Sequence, residues 1–331
     1  MTIREGIEER EYLNLSPLAC KSKDSKRRFK EEPCDFRTDF QRDRDRIIHS
    51  KAFRRLKHKT QVYIAPGDHY RMRMTHSLEV AQIARTIARG LNLNEDLTEA
   101  AALGHDVGHT PFGHVGEDAM KEILGHFRHN EQSLRVVEYL EQNGEGLNLT
   151  NEVKDAILNH SGRNLPSTLE GKIVRISDRI AYLCHDYDDG IRAGRLTPNM
   201  LPKDVAEIFG IRPSKMITAM VSDMILTSSG KNDIILSESV QKSMDEFRDF
   251  MFETIYHAKD LEIERKKAAY VIHTLYEYFF SHPDKLPEDF RKRENRWGLA
   301  LTVADYIAGL TDLFAIKTFE DIFIPSTMFG D

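Results

Sequence analysis

Residues 104–117 read Gly-His-Asp-Val-Gly-His-Thr-Pro-Phe-Gly-His-Val-Gly-Glu, so fourteen positions carry three histidines and two carboxylates around the adjacent pair His105-Asp106. Imidazole and carboxylate side by side are half a ligand set for a divalent ion of the manganese, iron, nickel or magnesium class, which takes mixed nitrogen and oxygen donors in open octahedral geometry. The other half must come from elsewhere in the chain. Ten of the 14 histidines fall between residues 58 and 185, a concentration that packing alone does not require. His76 is one further candidate. Asp178 is another, because it is embedded in the apolar run Ile173-Val174-Arg175-Ile176-Ser177-Asp178-Arg179-Ile180-Ala181. A buried charge there is costly unless it meets a metal or an ion-pair partner, for which Arg175 and Arg179 are at hand.

Helical periodicity supplies the elements that position these residues. Leu78, Ala81, Ile83, Ala84, Ile87, Ala88 and Leu91 recur at i, i+3 and i+4, predicting an amphipathic helix over Ser77–Leu91 that begins just after His76. A second helix is expected from about Glu95 to Asp106, with Glu95 and Asp96 favouring its N-terminus. Packed as an antiparallel hairpin, the two would bring His76 to His105-Asp106. Pro111 and its flanking glycines predict a loop, followed by a helix over 114–125 on which His114 and Glu117, at i and i+3, can pair so that the carboxylate orients the imidazole. Further helices are predicted at 130–143, 151–160, 170–192, 237–257, 259–281 and 298–317. On the 170–192 helix Tyr182 and Asp186 follow Asp178 at i+4 and i+8 and share its face. Strand signals are weak, and possible boundaries lie at 143–150, 194–202 and 281–289.

With 331 residues, 40% hydrophobic and 30% charged, the chain can bury a sizeable core in one large domain or two. The expected organisation is an N-terminal basic segment at 1–40, a core at 41–195 that carries the metal site, and a C-terminal helical region at 196–331 packed on that core. No stretch approaches the ~18 apolar residues of a membrane span, and Met1-Thr2-Ile3-Arg4-Glu5 has no secretory character, so a cytoplasmic protein with no membrane partner is expected. The three cysteines, at 20, 34 and 184, have no CxxC spacing and imply neither disulfides nor a zinc ribbon. Net charge is −6, yet Lys21 to Lys59 holds fifteen basic against seven acidic residues, a segment able to meet the phosphates of a nucleotide or nucleic acid.

The order His76, His105-Asp106, Asp178 resembles the HD-domain phosphohydrolases. Four flanking stretches are similar to bacterial deoxyguanosine triphosphate triphosphohydrolases: Arg44-Asp45-Arg46-Ile47-Ile48-His49-Ser50-Lys51-Ala52-Phe53-Arg54-Arg55-Leu56, then Lys59-Thr60-Gln61-Val62, Arg73-Met74-Thr75-His76-Ser77-Leu78-Glu79-Val80, and Asp305-Tyr306-Ile307-Ala308-Gly309-Leu310-Thr311-Asp312. The resemblance spans roughly residues 35–320.

It implies an all-α fold, an HD-domain helical core with additional C-terminal helices. It also implies hydrolysis of a deoxynucleoside triphosphate to deoxynucleoside and inorganic triphosphate. One divalent cation (Mn, Mg, Fe or Ni) would sit on His76, His105, Asp106 and Asp178, and Arg73 would reach the triphosphate. His114 would move a proton with Glu117 as its orienter, and His109 and His129 would contact phosphates. Gln61, Tyr182 and Asp186 would read the deoxyribose. Arg179, next to the metal aspartate where some relatives carry lysine, would keep a positive charge near the phosphates. Relatives assemble as homo-oligomers (hexamers or dimer-based), and some bind single-stranded DNA. Two alternatives are an HD-type phosphodiesterase or nucleotidase acting on another nucleotide, and a nucleic-acid-binding HD protein without turnover.

Overall fold

The computed structural model describes residues 1–62, 70–256 and 262–325, and among them there are sixteen α-helices and no strand. In chain order these are α1 Ile3–Asn14, α2 Asp39–Ile48, α3 Lys51–Arg55, α4 Arg73–Gly90, α5 Glu95–Gly104, α6 His114–Leu124, α7 His129–Arg135 and α8 Asn151–Asn159. Then follow α9 Leu169–Arg192, α10 Lys203–Phe209, α11 Pro213–Ser228, α12 Glu238–Met251, α13 Glu262–Ser281, α14 Glu288–Trp297, α15 Leu299–Gly309 and α16 Asp312–Phe323. The all-α expectation stands. No single helix among the described residues is long and apolar enough to cross a membrane.

The chain buries two apolar clusters. The larger is built on α4, α5, α8 and α9, with Val80, Ile87, Leu97, Ile157, Ile173 and Ile180 fully buried, and is extended by residues of α10, α11 and α12. The smaller joins the loop and helix at 112–127 to α13, α15 and α16. α5 is buried on nearly all sides, which its Ala100-Ala101-Ala102 run permits by leaving little side-chain volume between α2, α4, α8 and α9.

Several boundaries depart from expectation, each for a physical reason. α4 starts at Arg73, one turn before the predicted Ser77, because Arg73 and His76 are buried polar residues that interrupt the apolar pattern. α5 ends at Gly104, so His105 is its C-cap and Asp106 lies in the following turn. The expected 298–317 helix is two, bent by 117° where Thr311 caps α16 by accepting from the Phe314 amide. The 130–143 and 237–257 predictions each end in a wide π turn, at Val136–Leu140 and Phe252–Tyr256. Residues 257–261, where the last of these meets the predicted 259–281 helix, lie outside the described residues.

Much of the basic segment is used internally. Arg27 donates to Asp43 at 2.5 Å and to the Asp39 and Asn148 carbonyls, Arg42 and Arg46 meet Glu31, and Arg44 lies near Asp96 and Glu99. Asp43, fully buried, also accepts from the Thr150 amide at 2.8 Å. Removing one partner of a buried pair strands the other, so Asp43→Ala is expected to lower unfolding free energy by about 3 kcal/mol in chemical denaturation, whereas the same change at exposed Asp249 should cost under about 0.5 kcal/mol.

Two ties link the halves of the molecule. Lys59, 1% exposed, donates its ammonium to the His109 carbonyl and, at 2.7 Å, to the Ala308 carbonyl at the end of α15. Asp312 accepts from the Thr60 amide at 2.8 Å and from the Phe112 amide at 2.9 Å. The second bond holds Phe112 in a left-handed conformation (φ 62°), a strained setting for a residue with a side chain. Gly108 has no such freedom of replacement either: a Cβ there would lie 2.1 Å from the Ser133 amide nitrogen of α7.

Candidate metal and phosphate site

The α4–α5 hairpin closes as the spacing predicted, with the rings of His76 and His105 5.6 Å apart at centroid, and α9 brings Asp178 between them. His76 Nε2 lies 3.0 Å from Asp178 Oδ1, and His105 Nε2 lies 3.7 Å from the same oxygen and 3.5 Å from Asp106 Oδ2. His105 donates its Nδ1–H to the Ala102 carbonyl at 2.6 Å, so its Nε2 carries the lone pair; that atom is buried and has no hydrogen-bond partner. An unpartnered, buried imidazole lone pair beside two carboxylates is unfavourable as it stands and fits a cation. One donor atom each from His76, His105 and Asp178 lies within 4.8 Å of the others, a spacing that suits a divalent ion.

Asp178 therefore pairs with His76, not with the arginines beside it; Arg175 donates to the carbonyls of Asn159, Gly162 and Asn164. Burial works against ionisation of Asp178, but the His76 hydrogen bond and the neighbouring His105 imidazole hold its carboxyl well below the usual carboxylate range. Asp106 is likewise held low against its burial, by His105 and by Arg73, whose Nη1 donates to Oδ2 at 2.7 Å. Arg73 keeps Nε and Nη2 buried and without partners.

These residues open on a cavity of about 490 Å³. Gln61, Arg73, His76, Asp106, His109, His114, His129, Asp178, Tyr182 and Asp186 all line it; Arg179 is not among the described lining side chains, and Glu117 acts from behind His114 and His129. Asp178, Tyr182 and Asp186 do share one face of α9. Gln61 presents a buried Oε1 that accepts nothing.

The second cluster follows from a turn. Gly113, with φ 60°, starts α6, and His114 Nδ1 then lies 3.2 Å from Glu117 Oε2. Glu117 also accepts from the His129 amide at 2.8 Å and from His129 Nδ1 at 3.0 Å, which ties α6 to the first residue of α7. His114 and His129 hold the Glu117 carboxyl far below its ordinary value although burial opposes this. His129 is raised by Glu117 against its own burial, whereas burial and Arg73 push His109 well down, leaving it neutral. The His109 and His129 rings stack 4.3 Å apart.

Four contributors escaped the sequence reading. His160 caps α8 and places Nε2 3.2 Å from His129 Nε2; its signal was a histidine ending a predicted helix, the same position His105 holds on α5. Phe252, Tyr256 and Arg265 close the far wall, and the Tyr256 hydroxyl donates to Asp186 Oδ2. They belong to no motif near the ligands, and the tertiary fold alone brings them to the cavity.

The HD domain family profile matches residues 73–183, and the phosphohydrolase-associated domain profile matches 234–321. The chain is 56% identical over 332 residues to a deoxyguanosinetriphosphate triphosphohydrolase-like protein of Caldanaerobacter subterraneus subsp. tengcongensis, with 99% of this chain and 98% of that one covered. It is 48% identical over 350 residues to a protein of the same name from Desulfatibacillum aliphaticivorans, covering 99% and 100%. Among solved structures it shares its fold with a phosphohydrolase of Bacteroides thetaiotaomicron, at TM-score 0.50 and 15% identity over 84% of this chain and 68% of that one.

Proposed function

Because the chain belongs to the family of deoxyguanosinetriphosphate triphosphohydrolase-like HD phosphohydrolases, we propose that it hydrolyses deoxynucleoside triphosphates at the α-phosphorus, releasing deoxynucleoside and inorganic triphosphate. The observation that carries this reading is the meeting of donor atoms from His76, His105 and Asp178, with Asp106 beside His105, next to a cavity whose walls offer a buried guanidinium to phosphates and a buried carboxyl to a sugar.

A divalent cation of the Mn, Mg, Fe or Ni class on those four residues would supply a Lewis acid beside the α-phosphate. The chain's own groups do the rest. Arg73 offers its unpartnered Nε and Nη2 to the triphosphate, whose roughly four negative charges must be neutralised before a further anion can approach. His109, neutral, and His129, charged, face the same chain of phosphates. His114 reaches into the cavity on the N-terminus of α6 with its Nδ1 fixed by Glu117, so its Nε2 is the atom that gives a proton to the leaving 5′-oxygen. Arg179 stands outside the cavity wall and acts only through its charge.

For the sugar, Tyr182 lies beneath the ring and Gln61 and Asp186 take its hydroxyls. A site built of such polar partners discriminates between sugars more strongly than an apolar slot does. The Tyr256 hydroxyl donates to Asp186 Oδ2, and a 3′-hydroxyl would share or replace it. Burial pushes the Asp186 carboxyl up to about 7, with the Tyr256 hydrogen bond opposing. Its folded pKa lies above its unfolded value near 3.8, so the stability it confers is complete below about pH 4 and is lost as pH rises to about 7. Asp186→Asn is expected to flatten that decline, roughly 1 kcal/mol per pH unit, in urea titrations across the interval.

The deciding assay incubates the purified protein with each dNTP and Mn²⁺ or Mg²⁺ and resolves the products. Triphosphate release supports the proposal. Pyrophosphate or monophosphate would instead identify a phosphodiesterase or nucleotidase of the wider HD group. We also propose a homo-oligomer acting in the cytoplasm. The exposed Lys51, Arg54, Arg55 and Lys57, clustered on and just after α3, are the surface for single-stranded DNA.

A further inference from the structure

Four guanidiniums gather at the turn after α8 with no carboxylate to answer them. Arg175 donates Nη2–H to the Gly162 carbonyl at 2.5 Å and Nη1–H to the Asn159 and Asn164 carbonyls at 2.9 Å, so it holds the turn in shape. Arg179 follows at i+4 on the same face of α9. Burial, and after it the Arg179 charge, push Arg175 down from its ordinary value, and no acidic group offsets them. Arg128 lies over the same turn: a Cβ on Gly162 would stand 2.8 Å from its Nη1, and the bare glycine, at φ 88°, leaves the guanidinium its place. Arg163, next in the turn, is exposed.

These cations differ from those of the basic N-terminal segment. Arg27, Arg42, Arg44 and Arg46 each meet a carboxylate, whereas the side chains of Arg128, Arg163 and Arg179 have no hydrogen-bond or ion-pair partner among the described residues. Like charges held on one turn repel one another, and a polyanion relieves that repulsion. The turn also borders the catalytic cavity. Ser161 lines it, as do His129, which follows Arg128, and Asp178, which precedes Arg179. Asn130 donates Nδ2–H to the Leu158 carbonyl at 2.5 Å, which ties α7 to the end of α8 and keeps Arg128 beside the turn.

We propose that Arg128 and Arg163, backed by the charges of Arg175 and Arg179, form a polyphosphate-binding rim outside the cavity that takes up inorganic triphosphate as it leaves. The exit role rests on triphosphate being the product; the rim itself needs only the anion. A guanidinium grips phosphate oxygens through two parallel N–H donors, so a chain of phosphates can engage several of these side chains at once.

Isothermal titration of the full chain with inorganic triphosphate, without added divalent cation, tests the rim. Wild type is expected to bind triphosphate, and to bind inorganic monophosphate roughly tenfold more weakly because a single phosphate meets fewer guanidiniums. Arg128→Gln/Arg163→Gln, with helical circular dichroism checked, should weaken triphosphate binding about tenfold while dNTP kcat and KM stay within about twofold. Lys266→Gln/Lys267→Gln removes two exposed charges already matched by Glu262 and Glu264, and should leave triphosphate binding as it was. Equal weakening in that lysine variant, no binding by wild type, or unchanged binding in the arginine variant each overturns the rim. A rise in dNTP KM that matches the loss of triphosphate binding places the two arginines on the substrate and overturns the exit role. Triphosphate binding that falls with the arginines in a protein that hydrolyses no dNTP upholds the rim and removes the proposed reaction instead.

Discussion

Asp178→Ala is expected to abolish turnover, lowering kcat by roughly 10³-fold or more, and to release the cation held with His76 and His105. The reason lies in what the residue touches. Its carboxylate is the one anion between His76 and His105, at 3.0 and 3.7 Å, and it remains charged despite burial because both imidazoles face it. Without it, two buried imidazoles stand beside each other with no negative partner except Asp106, which Arg73 already claims at 2.7 Å. His105→Ala should behave alike, since its unpartnered Nε2 is the most exacting single donor of the set. Metal content by mass spectrometry and product formation with a saturating dNTP are the two readouts. Full activity in either variant would end the assignment.

Glu117→Ala should separate chemistry from metal. Glu117 touches none of His76, His105 or Asp178; it accepts from His114 and His129 and from the His129 amide. Its removal is expected to cut kcat by about 10²–10⁴-fold, the range of positioned proton transfer, while the cation held through Asp178 remains bound. Glu117→Gln, which still accepts at one atom, should lose less. A kcat near wild type in Glu117→Ala would remove His114 from proton transfer, because its Nδ1 would then need no orienter.

The parts legible in the chain were those where one physical signal dominates. The His76, His105-Asp106, Asp178 order could be read because charged groups in an apolar helix must have a partner, and the i+4 and i+8 spacing put Tyr182 and Asp186 on the same wall. Helices with an apolar stripe, such as α5, α8 and α9, were likewise visible. α2 and α14 were not. α2 buries only Phe40, Asp43 and Ile47 and α14 buries nothing fully, and both are crowded with charge; α2 is held by ion pairs made across the fold, and α14 reaches the rest of the chain through Arg293, which donates to the Leu140 carbonyl, rather than through periodicity. Tyr256 and Arg265 were hidden for a related reason: their place at the cavity depends on tertiary packing, which no local pattern encodes. His160 lay in plain view but reads as an ordinary helix-terminal histidine until His129 is found opposite it.

The buried ammonium of Lys59 joins the loop that carries His109 to the last turn of α15, and Asp312 joins the next residue of the chain, Thr60, to Phe112. A polypeptide terminated before Leu299 would lose the Ala308 carbonyl and the Asp312 carboxylate together, leaving a water-inaccessible cation half satisfied and the Phe112 turn unrestrained. Premature stop codons in this gene should therefore produce no partially working fragment, and swapping the last helices between relatives should succeed only when the Lys59 and Asp312 contacts travel with them.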